Sequence, residues 1–182
     1  MRLIDTHSHL FLEEFSEDFP QVIERARAAG VTHIFMPNID STTIEAMLSA
    51  CSLYKGYCFP MIGLHPTSVN ANYEKELEIV ARELKFSKEY VAIGEIGMDL
   101  YWDKTYLKEQ QIVLDKQVNW ALEYDLPVVI HCRDAFDYIY KVLEPYKKTP
   151  LRGIFHSFTG TAEEATRVLE FSDFFIGINA VV

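Results

Sequence analysis

The chain has 182 residues, is 49% hydrophobic and 13% aromatic, and carries a formal net charge of -10, so it can bury a sizeable core as one domain, 1-182, but is short for two. The acidic balance excludes a protein that holds nucleic acid mainly through a broad basic face, while leaving room for an anionic substrate held at bound cations. Cys51, Cys58 and Cys132 are odd in number and show no C-x-x-C spacing, so neither a disulfide framework nor a structural zinc cage is indicated and a reducing, cytoplasmic setting fits; no basic leader or membrane-length apolar run is visible.

Strands are expected at 3-6, 32-36, 59-63, 91-96, 128-131, 153-156 and 174-178, from β-rich apolar runs such as "THIFMP" and "LPVVIH". Between them, helical periodicity covers 17-29, 42-56, 73-85, 106-124, 135-146 and 161-171, with Gly30 and Gly56 as stops. Regular alternation with strands apolar on both faces predicts an α/β fold of parallel strands covered by helices. The choice between an open doubly wound sheet and a TIM-type (β/α) barrel turns on the polar residues. His7, His9, Glu95, His131 and His156 fall at or just beyond the C-terminal ends of expected strands. Only a closed barrel brings those ends to one mouth, so the barrel is expected, with seven of its eight strands in this chain.

"LIDTHSHL" places two imidazoles two positions apart after a strand, so both project to one side and can share one target. In "VAIGEIGMD", Glu95 occupies a position where Val91 and Ile93 lead one to expect another apolar residue; alone, it could be a strand-end residue reaching solvent. His131 ends "PVVIH" and His156 ends "GIFH", and each alone could be a hydrogen-bonded core histidine. Five such groups at the same end of four parallel strands point instead to a metal site.

The segments "IDTHSHL", "GLHP", "AIGEIGMD", "VVIHCRDA" and "GIFHSFTG" resemble, in order, the motifs of the TatD-like metal-dependent deoxyribonucleases of the amidohydrolase superfamily, over essentially the whole chain. The resemblance implies a TIM-type barrel with two divalent ions, His7 and His9 on one, His131 and His156 on the other, and Glu95 bridging. It also implies His65, in "IGLHP", as an active-site histidine reaching the phosphate or leaving group. Phosphodiester hydrolysis suits such a cage, since paired cations activate water and neutralise the phosphate. Imidazole-rich ligation favours Zn²⁺ or Mn²⁺, and the resemblance admits Mg²⁺.

Arg133 is a candidate for bidentate phosphate binding, with a salt bridge to Asp134 or Asp137 as the alternative. Asp99, Tyr101 and Trp102 are placed on the loop after the fourth strand, where the rings could stack on an unpaired base or simply pack. Ser157 and Thr159 could donate to phosphate or cap a turn. The expected substrate is DNA with single-stranded or frayed ends; the alternatives are another superfamily hydrolase acting on an amide, lactone or small phosphoester, or an inactive metal-binding fragment. TatD-like enzymes continue into an eighth strand with an aspartate ligand in a "TDxP"-type motif. This chain ends at "GINAVV", so the expectation is a C-terminally incomplete barrel whose first and last strands present open edges.

Overall fold

The computed structural model describes residues 2-178, and strand and helix alternate along all of them. The strands are β1 (Leu3–Asp5), β2 (Val31–Pro37), β3 (Cys58–Met61), β4 (Ile93–Asp99), β5 (Val128–Arg133), β6 (Gly153–Phe155) and β7 (Phe174–Ile176). The helices are α1 (Phe19–Ala28), α2 (Ile44–Leu53), α3 (Tyr73–Phe86), α4 (Leu107–Glu123), α5 (Phe136–Leu143) and α6 (Ala162–Val168). Local chemistry sets several ends. Gly30, at φ 90°, follows α1, and Thr161 with Glu164 forms a reciprocal capping box on α6. The expected helix 135-146 stops at Leu143, because Pro145 turns the chain into a tighter 3-10 turn.

All strand pairs are parallel and follow chain order, β1 to β3 and β4 to β7. A bridge between Ile62 and Ile93 joins the two runs, with Gly94 N–H donating to the Ile62 carbonyl at 2.9 Å. Sequential parallel order with a helix after each of the first six strands is the TIM-barrel arrangement. Outward-facing Ile34, Met36, Ile96, Met98 and Ile130 pack in one core with Ile23, Met47, Val80, Leu114 and Ile139 of the helices. Inside the curve, Met61, Ala92 and Val129 cluster with Phe35, Val91 and Ile154. Burial on both faces explains why the strand sequences read as continuous apolar runs.

Two expectations change here. The fourth strand, expected at 91-96, runs on to Asp99, so Glu95 lies within β4 rather than at its end. Asp99, expected on the following loop, is its last residue, because Gly97, Met98 and Asp99 pair in register with His131, Cys132 and Arg133. The last strand is the shorter Phe174–Ile176, and residues 179-182 of "GINAVV" lie outside the described residues.

Among the described residues, β1 and β7 each pair with a single neighbour. Ile4 on β1 is 55% exposed and Phe175 on β7 is 67% exposed. An apolar cavity of about 250 Å³ opens between Phe35, Met61, Val129, Ile154 and Phe175.

Candidate metal centre

Glu95 owes its direction to an irregularity in β4. Ile93 pairs with Val128 but Ile96 pairs with Ile130, so β4 carries one residue more than β5 across that interval. Such a bulge re-aims side chains. Beyond it, Ile96, Met98 and Leu100 join the helix-side core, while the carboxylates of Glu95 and Asp99 both meet His131. Gly97, at φ 141°, makes the turn of phase possible; a Cβ there would stand 2.0 Å from the carbonyl oxygen of His131.

Around Glu95, three other strand ends deliver imidazoles. After β1, Asp5 accepts the His7 N–H at 3.1 Å and the Ser8 hydroxyl at 2.5 Å, and this local turn presents His7 and His9 together. Beyond β3, His65 is anchored by its N–H to the Ile39 carbonyl at 2.8 Å. After β6, His156 is anchored by its N–H to the Ile130 carbonyl at 2.8 Å.

Glu95 is 3% exposed, and its two oxygens meet different rings. Oε2 lies 3.0 Å from His7 Nε2, 3.6 Å from His9 Nε2 and 3.6 Å from His65 Nε2, whereas Oε1 lies 3.1 Å from His131 Nδ1. The other nitrogen of His131 lies 2.9 Å from Asp99 Oδ2, so its ring is held between two carboxylates. Donor atoms of His7, His9 and Glu95, and those of His65, Glu95 and His131, fall within 4.8 Å of one another. His156 belongs to neither group; its ring stacks on His7 with centroids 3.5 Å apart, and its Nε2 lies 2.8 Å from Ser157 Oγ. The resemblance places His131 and His156 on one ion; in this geometry the donor atoms of His131 and His65 lie together beside Glu95, and the His156 ring lies against His7.

Charge follows from this crowding. Burial opposes ionisation of Glu95, but hydrogen bonds from His131, His7 and His9 outweigh it and hold the carboxyl well below its usual range. Burial likewise disfavours a proton on His131, yet Glu95 and Asp99 together raise its pKa. His65 is pushed down to about 4, first by burial and then by His131 and His9, against the pull of Glu95. His156 is also pushed down to about 4, by burial and the neighbouring His7.

A stability prediction follows with a definite sign. Between pH 6.5 and about 4 the unfolded chain protonates at His65 and His156 while the folded, metal-free chain resists it, so stability falls as pH falls through that window. For His65 alone the linkage is about 3 kcal/mol once fully expressed. His131 acts oppositely, its contribution being complete below pH 6.5 and lost as pH rises through its raised pKa. Thermal melts in EDTA at pH 7, 5.5 and 4 should show a steady decline; a flat melting temperature would contradict the neutral, buried state of His65.

The donor set suits a divalent cation. Nε2 of His7 and of His9 lie 3.2 Å apart beside an ionised carboxylate, and the buried Nδ1 atoms of both rings have no hydrogen-bond partner among the described residues. Neutral imidazole offers one lone pair and one N–H, so protons alone satisfy such a cluster poorly, whereas a cation accepts several lone pairs at once. A cluster of imidazoles on one buried carboxylate, at the C-terminal mouth of a parallel barrel, is the equipment of a metal-dependent hydrolase. The sequence profile of the family described as TatD related DNase matches residues 4–182, and the chain belongs to that family.

Over 168 residues it is 36% identical to the uncharacterized metal-dependent hydrolase YabD of Bacillus subtilis (strain 168), covering 92% of this chain and 65% of that protein. It is 33% identical over 162 residues to the 3'-5' ssDNA/RNA exonuclease TatD of Pantoea sp. (strain At-9b), covering 89% of this chain and 62% of the relative. The crystal structure of YjjV, a TatD homolog from Escherichia coli K12, superposes with a TM-score of 0.87 at 31% identity, over 96% of this chain and 67% of that one. The chain thus spans about two thirds of the length of the relatives it matches.

The candidate substrate residues also come together. The Arg133 guanidinium lies 3.8 Å from the Tyr101 ring centroid and 5.3 Å from that of Trp102, which is 71% exposed. Asp137, one alternative partner for Arg133, is instead held by Arg167 at 2.7 Å. Sequence reasoning missed the grip of Asp99 on His131. Alternation by two from Glu95 through Gly97 to Asp99 was the available signal, had the strand been carried past the glycine.

Proposed function

We propose that this chain forms the metal-binding and substrate-binding part of a hydrolase that cleaves phosphodiester bonds of DNA at single-stranded or frayed ends, using two divalent ions. The observation that carries the reading is Glu95, whose Oε1 faces His131 while Oε2 faces His7, as a carboxylate shared between two cations would. On the division that the family resemblance implies, His7 and His9 would hold one ion, and His131 and His156 the other. Zn²⁺, Mn²⁺ or Mg²⁺, when bound, supplies a Lewis acid for the phosphoryl oxygens and lowers the pKa of a water to near about 7.

His65 has a separate part. Its Nδ1 lies 2.7 Å from Thr67 Oγ1 and 3.2 Å from Thr67 N, and in the tautomer in which it accepts the Thr67 N–H the ring proton is on Nε2, facing the site. A ring in that state donates to a phosphate oxygen or a leaving group, so His65 is assigned as a hydrogen-bond donor. Arg133 offers its fork to a second phosphate while stacked on Tyr101, and Trp102 presents a face to an unpaired base. The three free thiols suit a reducing cytoplasm, and among the described residues no helix is long and apolar enough to cross a membrane.

Stripping the protein with EDTA and restoring Zn²⁺, Mn²⁺ or Mg²⁺ one at a time tests this on labelled single strands and closed duplex circles. Metal-dependent release of nucleotides from single-stranded ends is expected. With net charge -10 and few phosphate contacts beyond the ions, affinity should depend only modestly on salt. A steep salt slope, or faster cutting of closed circles, counts against it; turnover of lactones or amides with none of DNA would move the assignment to another hydrolase.

A further inference from the structure

Helix α4 buries two glutamines, Gln110 and Gln117, seven residues and so about two turns apart on one face. Each grips the main chain of one residue with both ends of its amide. Gln110 Oε1 accepts the Asp99 N–H at 2.9 Å, and its Nε2 donates to the Asp99 carbonyl at 3.1 Å. Gln117 Oε1 accepts the Leu64 N–H at 2.7 Å, and its Nε2 donates to the Leu64 carbonyl at 3.2 Å. A primary amide sets a donor beside an acceptor and so mimics a neighbouring strand. The other buried positions of α4 include Val113, Leu114, Val118 and Ala121, all apolar. Packing alone would be served as well by Leu or Met at the two polar positions.

Both gripped residues stand one step from the site. Asp99 holds His131 through Oδ2 and accepts the Tyr101 N–H on Oδ1 at 3.0 Å, while Leu64 immediately precedes His65. We infer that Gln110 and Gln117 are positioning residues: Gln110 sets the ring of His131 through Asp99, and Gln117 sets His65 through Leu64, so that one helix holds a proposed metal ligand and a hydrogen-bond donor in mutual register. The inference rests on the metal-hydrolase reading above.

The test compares Gln110→Met and Gln117→Met with Gln111→Met, a half-buried position on the same helix. Three quantities are followed: Zn²⁺ affinity by chelator competition, imidazole ¹⁵N resonances of His65 and His131 in the metal-free protein, and melting temperature. Gln110→Met should weaken Zn²⁺ binding by about 10–100-fold and move the His131 resonances without moving those of His65. Gln117→Met should move the His65 resonances and leave Zn²⁺ affinity unchanged; Gln111→Met should alter neither. Lower melting temperatures with unaltered resonances and Zn²⁺ affinity would make the clamps merely structural and overturn the inference. Should a Met variant fail to fold, Gln110→Asn and Gln117→Asn, which keep the amide but shorten its reach, must give the same pattern. If the unmodified protein binds no Zn²⁺, the metal reading fails, while the imidazole resonances still decide the clamps.

Discussion

Glu95→Gln is expected to lower bound divalent metal at both ions together and to reduce phosphodiester hydrolysis by more than about 100-fold. The substitution keeps size and shape, so the cavity stays filled. It removes the negative charge at a position 3% exposed and turns one of the two oxygens into an NH₂. Whichever way the amide sits, either His7, 3.0 Å from Oε2, or His131, 3.1 Å from Oε1, faces a donor in place of an acceptor. Neither cation then has the anionic ligand that offsets its desolvation. His131→Ala should be more selective, depleting one ion more than the other. Elemental analysis of the purified variants is the direct check, and an unchanged metal content in Glu95→Gln would refute the bridging role.

Gly97→Ala should cost about 3 kcal/mol of stability or more, through backbone strain and overpacking combined. At φ 141° the backbone lies where L side chains seldom go, and the added methyl would stand 2.0 Å from His131 O and 2.9 Å from His131 C and N. These are main-chain atoms of a paired strand, so they cannot swing aside as a side chain would. Relief requires β4 and β5 to separate at the register pair Gly97 and His131, which would also draw His131 away from Glu95. Urea denaturation should show a lower midpoint with an unchanged slope, accompanied by weaker Zn²⁺ binding. A variant within about 0.5 kcal/mol of the parent would behave as an ordinary surface change and sink the close-approach argument.

The strand positions were legible where a strand is apolar on both faces, as in "THIFMP" and "LPVVIH", because burial between helices and the barrel interior leaves little else to encode. The cluster at the mouth was legible because His7, His9, Glu95, His131 and His156 are chemically costly in such places, while His65 was reached through the family resemblance; the structure sets His7, His9, His65 and His131 around Glu95 and stacks His156 on His7. What escaped was set by geometry between strands. The bulge in β4 leaves no mark in composition, and Gly94 and Gly97 read as weak points when they are sites of close approach. Asp99 was accordingly put on a loop. Nothing in the sequence sets Gln110 and Gln117 apart from ordinary helix-formers, since a helix sequence alone does not reveal which amide finds a strand end.

Among the described residues β1 and β7 stand at the two ends of the strand order, and this bears on how local opening is distributed around the barrel. β5 is paired on both sides and β4 is paired with β5 and bridged at Ile93 to Ile62, whereas β1 and β7 each have one partner among the described residues and carry the exposed Ile4 and Phe175. Freeing an outer strand breaks one ladder; freeing β4 breaks its ladder with β5 and the Ile62–Ile93 bridge, along with the Gln110 clamp at its end. Amide hydrogens should therefore exchange with solvent in a graded order, earliest at the two outer strands and latest at the strand that carries Glu95. The rings proposed to bind metal straddle that gradient: His7 and His9 follow the readily opened β1, while His131 belongs to the slowly opened β5. Within one cluster, the two halves of the proposed ligand set are thus attached to parts of the chain that open at different free energies, and ordering β1 would become part of the cost of filling the first of the proposed sites.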